Sequence, residues 1–219
     1  MKITIFGATS MVGKYLVSKT LAAGHHVLAF GRDVNELIDK DLRNDFLTAV
    51  KGYVFEEADV AKALEGADAV LSVIGGAADG TDRSRSLGMK NIIQQMERAN
   101  VQRIVALGGY GVLNDSEDHY VLDTPNYPAN LKAVGQEHML AYLFLRASAL
   151  NWTFVCPVNI IDADGNGKYI TDTDFSPEDG SKNIAAGDLA DFMLKELTEN
   201  RFVNHRVGIV STDSSDVRI

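Results

Sequence analysis

The residues best placed to do chemistry form a glycine-containing loop near the start of the chain. Gly7 follows the apolar run at residues 3–6, and Gly13 stands where a helical pattern begins. Gly7 permits the tight turn that leaves a strand, and Gly13 lets the helix pack close to the sheet. Backbone N–H groups of the loop and the helix N-terminus can then bind a pyrophosphate. This spacing predicts a dinucleotide site formed by Gly7, Thr9, Ser10, Met11, Val12 and Gly13.

Ser10 takes the place of the middle glycine in the usual three-glycine motif. A small residue still permits close approach of the backbone, and its hydroxyl group can donate a hydrogen bond to a phosphate. The alternative is an ordinary turn between a strand and a helix. The loop's position at the first strand-to-helix junction of the chain favours the dinucleotide site.

The end of the second predicted strand carries the sequence Phe30-Gly31-Arg32-Asp33. Loops that prefer NAD place a carboxylate here, which accepts a hydrogen bond from the ribose 2′-hydroxyl, whereas a guanidinium suits the 2′-phosphate of NADP. Arg32 therefore favours NADP(H). The alternative is that Arg32 pairs with Asp33 in solvent and that the protein binds NAD(H).

Two further segments are placed to contact such a cofactor. Asp59 and Val60 follow the third predicted strand, where Asp59 can accept from the adenine amino group while Val60 packs on the ring. Alternatively, Asp59 is the N-cap of the next helix. Ile74 and Gly75 end the fourth predicted strand, and a glycine there leaves room for the ribose on the nicotinamide side.

Short apolar runs alternate with longer amphipathic segments along the whole chain, which predicts a parallel sheet covered by helices on both faces. We expect one α/β domain over residues 1–219, a Rossmann-like, doubly wound and mostly parallel sheet. Loops at about 110–130 and 157–185 are expected on the substrate side, with one hairpin strand near Tyr169. The predicted strands are 3–6, 26–30, 53–56, 69–74, 104–107, 152–156 and 206–210, and the predicted helices are 14–23, 60–64, 85–100, 131–150 and 188–199.

Composition narrows the function classes. A formal net charge of -9 without a Lys or Arg run argues against nucleic-acid binding, which needs clustered positive charge. The pattern shows no signal peptide and no apolar stretch of membrane-spanning length. Together with a single cysteine, Cys156, this predicts a cytoplasmic protein whose thiol is buried rather than nucleophilic. No His, Cys and Asp spacing predicts a metal site.

Several segments together resemble the atypical short-chain dehydrogenase/reductases, in the branch with flavin reductase (biliverdin reductase B)-like and NmrA-like proteins. The segments that carry this resemblance are 7–13, 59–70, 88–93 with 101–105, 145–157 and 184–193. The resemblance implies a Rossmann-like fold and an NAD(P) cofactor over nearly the whole chain, but leaves the substrate open.

The departures from that family concern catalysis. Classical members have a Ser after strand five and a Tyr four residues before a Lys, whereas here Gly108 follows strand five and Pro128 precedes Lys132 at that spacing. The candidates that remain are Tyr110 as proton donor, or as a residue of the pocket rim, and Lys132 as a contact of the nicotinamide ribose. By the same resemblance Gly108, Pro157 and Asn159 are cofactor contacts, with Asn159 near the position of a His found in flavin-reductase-like relatives. His138 on the predicted long helix is compatible with a structural role.

Three functions compete on this evidence. The first is an NADPH-dependent reductase that transfers a hydride to a flavin, quinone or similar planar acceptor, acting as a monomer or small homo-oligomer. The second is a non-catalytic NADP(H)-binding redox sensor of the NmrA type, which the missing Tyr and Ser favour. The third, a sugar-nucleotide epimerase or dehydratase, is disfavoured because those enzymes carry a larger substrate domain.

Overall fold

A twisted, mostly parallel sheet organises the computed structural model, which describes residues 1–34, 45–77, 79–117 and 119–213. In chain order the helices and longer strands are β1 (Lys2–Phe6), α1 (Met11–Ala22), β2 (His26–Gly31), β3 (Leu47–Lys51), α2 (Glu57–Ala63), β4 (Ala69–Ser72), α3 (Met89–Arg98), β5 (Arg103–Leu107), β6 (Asn114–Ser116), β7 (His119–Tyr120), α4 (Lys132–Ala147), β8 (Asn151–Pro157), β9 (Asn159–Ile161), β10 (Tyr169–Thr173), β11 (Asn183–Ala185), α5 (Ala186–Glu199) and β12 (His205–Ser211). A π-helical turn, Ser84–Gly88, leads directly into α3.

Among the described residues, eight strands form the main sheet in the order β10-β12-β8-β5-β4-β1-β2-β3. All neighbours are parallel except β10, which pairs antiparallel with β12. A strand near Tyr169 was predicted and is present, but it is not part of a hairpin, because its partner β12 follows only after β11 and α5. The chain leaves β1 toward β2 on one side and reaches β4 on the other, so the strand order reverses there. In such sheets the crevice at the carboxyl ends of the diverging strands is the usual place for a ligand.

The two faces of the sheet are covered by different helices, which confirms the predicted doubly wound α/β architecture. One core packs residues of α2, α3 and α4 on the sheet, including Ile92, Met96 and Leu145. The other packs α1 and α5, including Leu16 and Met193. Full burial of such side chains contributes roughly 1.5–3 kcal/mol each. Within the described residues, no helix has the length and apolar character needed to cross a membrane.

The prediction of the third strand was wrong. The strand is Leu47–Lys51, and the predicted stretch 53–56 lies in the loop behind it. The strand lies at the edge of the sheet, and Val50 is its only buried residue, so its own apolar signal is weak. The alternating aromatic residues Tyr53 and Phe55 give the sequence a strand-like pattern, yet they are 54% and 51% exposed.

Candidate functional site

The loop between β1 and α1 has a shape that only glycine permits at two positions. Gly7 has a φ of +82°, and a Cβ there would lie 2.6 Å from the Val73 carbonyl oxygen at the end of β4. A Cβ on Gly13 would lie 2.1 Å from the Gly7 carbonyl oxygen. The first turn of α1 is therefore pressed against the loop, at the point where β1 and β4 diverge. The first N–H groups of an α-helix lack carbonyl partners within the helix, so this turn is able to bind an anion.

Ser10 is the N-cap of α1. Its Oγ accepts a hydrogen bond from Gly13 N at 3.1 Å, and its own N–H donates to the Gly7 carbonyl oxygen at 2.9 Å. No acidic residue stands in the first turn of α1, so no carboxylate of that turn competes for its N–H groups. The Ser10 hydroxyl hydrogen is not used by the cap, and its donation to a phosphate stays a prediction.

A cleft of about 680 Å³ opens over this loop, along the carboxyl ends of β1, β2 and β4. Six of the residues singled out in the sequence line it: Gly7, Thr9, Ser10, Arg32, Ile74 and Gly75. Met11, Val12 and Gly13 form the helix turn beneath, where Val12 and Gly13 are buried and Met11 is exposed. Residues far apart in the chain thus meet in one crevice that fits an extended ligand.

Arg32 is exposed at the end of β2 and lines the cleft with Asp82. The pKa of the Asp82 carboxyl is lowered, first by hydrogen bonding from Ser84 and further by the positive charges of Arg32 and Arg85. An ionised Asp82 and a solvent-accessible Arg32 therefore share this end of the cleft. A guanidinium here can bind a phosphate through charge-assisted hydrogen bonds.

The prediction that Val60 packs on the adenine ring needs correction. Val60 has no exposed surface and belongs to the core, so it cannot cover a ligand. Asp59 lies within α2, whose N-cap is Glu56, and its Oδ2 accepts from Tyr53 N at 2.9 Å. Asp59 is therefore not the N-cap of that helix, and its contact with the adenine amino group stays a prediction. The apolar wall of the cleft is formed instead by Tyr53, Val54 and Phe55.

The other sequence-predicted residues do not line this cleft, and their roles stay predictions. Tyr110 is 40% exposed in a 3₁₀ turn, and Lys132 is exposed at the first position of α4. Pro157 ends β8 opposite Ile209. Gly108 and Asn159 are hydrogen-bonded within the protein. Gly108 N donates to the Val155 carbonyl oxygen at 2.7 Å, and Asn159 Nδ2 donates to Asn183 Oδ1 at 2.8 Å.

A group of buried polar residues beside the cleft was missed by the sequence reasoning. Glu137 on α4 is 5% exposed; it accepts from Arg83 Nε at 2.8 Å and from the Ser86 hydroxyl. These contacts attach α4 to the π-helical turn and thereby to the cleft, since Arg83 lines it. The available signal was the adjacent polar residues Gln136, Glu137 and His138 on a helix whose following residues are mostly apolar.

His138 should make stability depend on pH. Burial, assisted by the positive charge of Arg85, lowers its pKa from 6.5 to about 3. Between those values the unfolded chain binds the proton and the folded chain does not, so stability is lost as the pH falls. We expect the wild type to lose up to about 1.4 kcal/mol per pH unit more than His138→Gln in this window. Urea denaturation of both proteins between pH 7 and pH 4 measures this, and parallel curves would contradict it.

Cys156 has no exposed surface, and burial raises the pKa of its thiol. This agrees with the predicted role as a small core residue. Among the described residues, no group of three or more His, Cys, Asp or Glu side chains could hold a metal ion.

Comparison with known proteins assigns the family. A family model described as NAD(P)H-binding matches residues 7–200. The chain belongs to the NAD(P)H-binding family. This confirms the nicotinamide dinucleotide expected from the glycine loop, and it agrees with the resemblance drawn from the sequence.

Three similar proteins match this chain over nearly their full lengths. YwnB of Bacillus subtilis is 27% identical over 219 residues, which cover 96% of this chain and 99% of YwnB. The structure of a proposed NADH-flavin reductase from Streptococcus pneumoniae has a TM-score of 0.80 at 25% identity, covering 96% of this chain and 99% of its own. That of a proposed epimerase from Bacteroides thetaiotaomicron has a TM-score of 0.85 at 26% identity, with 97% of both chains covered.

Proposed function

We propose that this NAD(P)H-binding protein is an NADPH-dependent reductase that transfers a hydride to a flavin, a quinone or a similar planar acceptor. The observation that carries the proposal is the crevice at the strand reversal, with its glycine cradle at Gly7 and Gly13 and Arg32 at its rim. Similarity to the Streptococcus pneumoniae protein supports the acceptor class.

The residues of the cleft fit the parts of NADPH. Loop N–H groups and the N-terminus of α1 would hold the pyrophosphate, and Arg32 would hold the 2′-phosphate. Tyr53 and Phe55, which expose large apolar surfaces in the cleft, would cover the adenine base. When bound, the nicotinamide supplies the hydride. The chain's own part is to orient the two reactants and to keep water from between them.

The direct test mixes the purified protein with NADPH and a panel of FMN, riboflavin and benzo- and naphthoquinones. We expect at least one acceptor to be reduced. The reaction is measured as the loss of absorbance of the reduced nicotinamide. Gly13→Ala is the matched control, since it is expected to lose the cofactor cradle. No oxidation above background across the panel, with NADPH shown to bind, would reject the proposed activity.

Arg32→Ala tests the cofactor preference. Hydrogen bonds to charged groups contribute about 1.5–3 kcal/mol, so we expect the Kd for NADPH to rise roughly 10- to 100-fold while that for NADH changes by less than about twofold. Fluorescence titration with each cofactor measures both values. Arg98→Ala is the control, because Arg98 is exposed and pairs with Glu57 on α2, away from the cleft lining. Equal losses for both cofactors would remove Arg32 from the 2′-phosphate.

A second candidate is a non-catalytic NADP(H) sensor of the NmrA type. It is favoured by one observation: the two catalytic candidates of the sequence, Tyr110 and Lys132, both lie outside the cleft lining. A sensor should bind NADP⁺ and NADPH with clearly different affinities, or change its affinity when a partner is present, and should leave the acceptor panel unreduced. Similar affinities without partner dependence would count against it.

A further inference from the structure

The side chain of His138 reaches from α4 to the carboxyl end of β5. A Cβ on Gly109, just beyond that strand, would lie 2.7 Å from His138 Cδ2 and 3.3 Å from Nε2. Any larger residue at position 109 would therefore displace the imidazole. The ring lies against bare backbone, at the same edge of the sheet where β1 and β4 form the cleft.

Arg85 is hydrogen-bonded to the floor of the cleft, and its positive charge acts on this ring. Its guanidinium donates to the Gly76 carbonyl oxygen at 2.9 Å and to the Ala77 carbonyl oxygen at 3.0 Å. Gly76 lines the cleft, and the charge of Arg85 acts on His138. With burial as the larger cause, it holds the pKa of His138 at about 3. At neutral pH the imidazole is therefore uncharged, with one N–H donor and one acceptor nitrogen.

Neither ring nitrogen of His138 has a hydrogen-bond partner among the described residues, and the side chain is partly exposed, so its N–H group can meet a ligand. Three other histidines, His25, His119 and His205, lie within hydrogen-bond distance of a polar group, whereas His26 and His138 have no such side-chain partner among the described residues. The described residues thus supply no hydrogen bond that would mark His138 as a purely structural histidine.

We propose that His138 binds the hydride acceptor by donating a hydrogen bond from its imidazole N–H to a carbonyl oxygen of a quinone or flavin. This inference rests on the proposed reductase function, and it adds the residue that positions the second reactant. The contact would be a hydrogen bond to the substrate, without transfer of the imidazole proton. Like Tyr110 and Lys132, His138 does not line the cleft described above, so the acceptor would lie next to that cleft, over the end of β5.

Two substitutions separate the polar role from packing. His138→Phe keeps a ring over Gly109 and removes both nitrogens, whereas His138→Gln keeps an N–H donor. For a quinone that the wild type reduces, we expect kcat/KM to fall roughly tenfold or more in His138→Phe and to recover largely in His138→Gln. The Kd for NADPH should stay unchanged in both. His119→Phe, in the exposed β6–β7 hairpin, should leave kcat/KM unchanged.

If His138→Phe keeps the wild-type kcat/KM, the proposal is overturned. It is also overturned if NADPH affinity falls as much as kcat/KM does, because the ring would then contact the cofactor. If a variant does not fold, or if the wild type reduces no acceptor, an NMR measurement on the wild-type protein still tests the proposal. We expect the ring-nitrogen NMR signals of His138 to shift when FMN or a naphthoquinone is added to the NADP⁺ complex. Unshifted signals at saturating acceptor overturn the assignment. An unreduced panel with shifted signals rejects only the reductase activity.

Discussion

Gly13→Ala is expected to weaken NADPH binding about 10- to 100-fold, because the new methyl group would collide with backbone atoms alone. Its Cβ would lie 2.1 Å from the Gly7 carbonyl oxygen and 2.9 Å from that of Ala8. No flexible side chain can give way, so the first turn of α1 must move away from the loop. Overpacking of this kind costs about 1–3 kcal/mol, and each 1.4 kcal/mol lost from binding is a factor of ten.

Alanine normally stabilises a helix by about 0.5–1 kcal/mol relative to glycine. A loss in Gly13→Ala would therefore show that the close approach of the helix to the loop matters. Gly24→Ala, at the other end of α1, is the matched control. Gly24 has a φ of +77°, and nothing lies within 4 Å of a Cβ placed there. We expect Gly24→Ala to lower the free energy of unfolding by about 1–2 kcal/mol through backbone strain and to leave NADPH binding unchanged. Fluorescence titration and urea denaturation measure both quantities, and wild-type affinity in Gly13→Ala would contradict the prediction.

Glu196→Ala is expected to lower the free energy of unfolding by about 3–5 kcal/mol, the range for breaking a buried ion pair. Glu196 on α5 is 1% exposed, and its Oε1 accepts from Arg103 Nη2 at 2.8 Å, from Thr153 Oγ1 at 3.0 Å and from Phe202 N at 3.0 Å. Removing the carboxylate leaves the Arg103 guanidinium buried without a counter-charge. Urea denaturation at neutral pH measures the loss.

Two further variants show whether the loss of stability comes from leaving the Arg103 guanidinium without a counter-charge. Lys195→Ala removes an exposed ion pair with Asp191, and we expect it to cost less than about 1 kcal/mol. The double variant Arg103→Met with Glu196→Leu should be more stable than Glu196→Ala, because no charge is left unpaired. Arg103 begins β5, whereas the cleft lies at the carboxyl ends of the strands, so folded Glu196→Ala should bind NADPH normally. A loss below 1 kcal/mol in Glu196→Ala would contradict the prediction.

The glycine loop, the position of Arg32 and the alternation of strands with helices could all be predicted from the sequence, because each depends on neighbouring residues. Gly7 and Gly13 act within one turn between a strand and a helix, and Arg32 follows a strand whose apolar run is continuous. Local patterns of this kind suffice for a doubly wound sheet and for a dinucleotide loop at its first junction.

Tertiary structure decided which residues complete the site. The edge strand β3 buries only Val50, so its position depends on pairing with β2 rather than on its own pattern, and that pairing brings Tyr53 to the cleft in place of Val60. His138 and Gly109 are likewise brought together only when α4 packs at the end of β5. Such contacts are set by the order of strands and the packing of helices between distant segments, which local residue patterns do not encode.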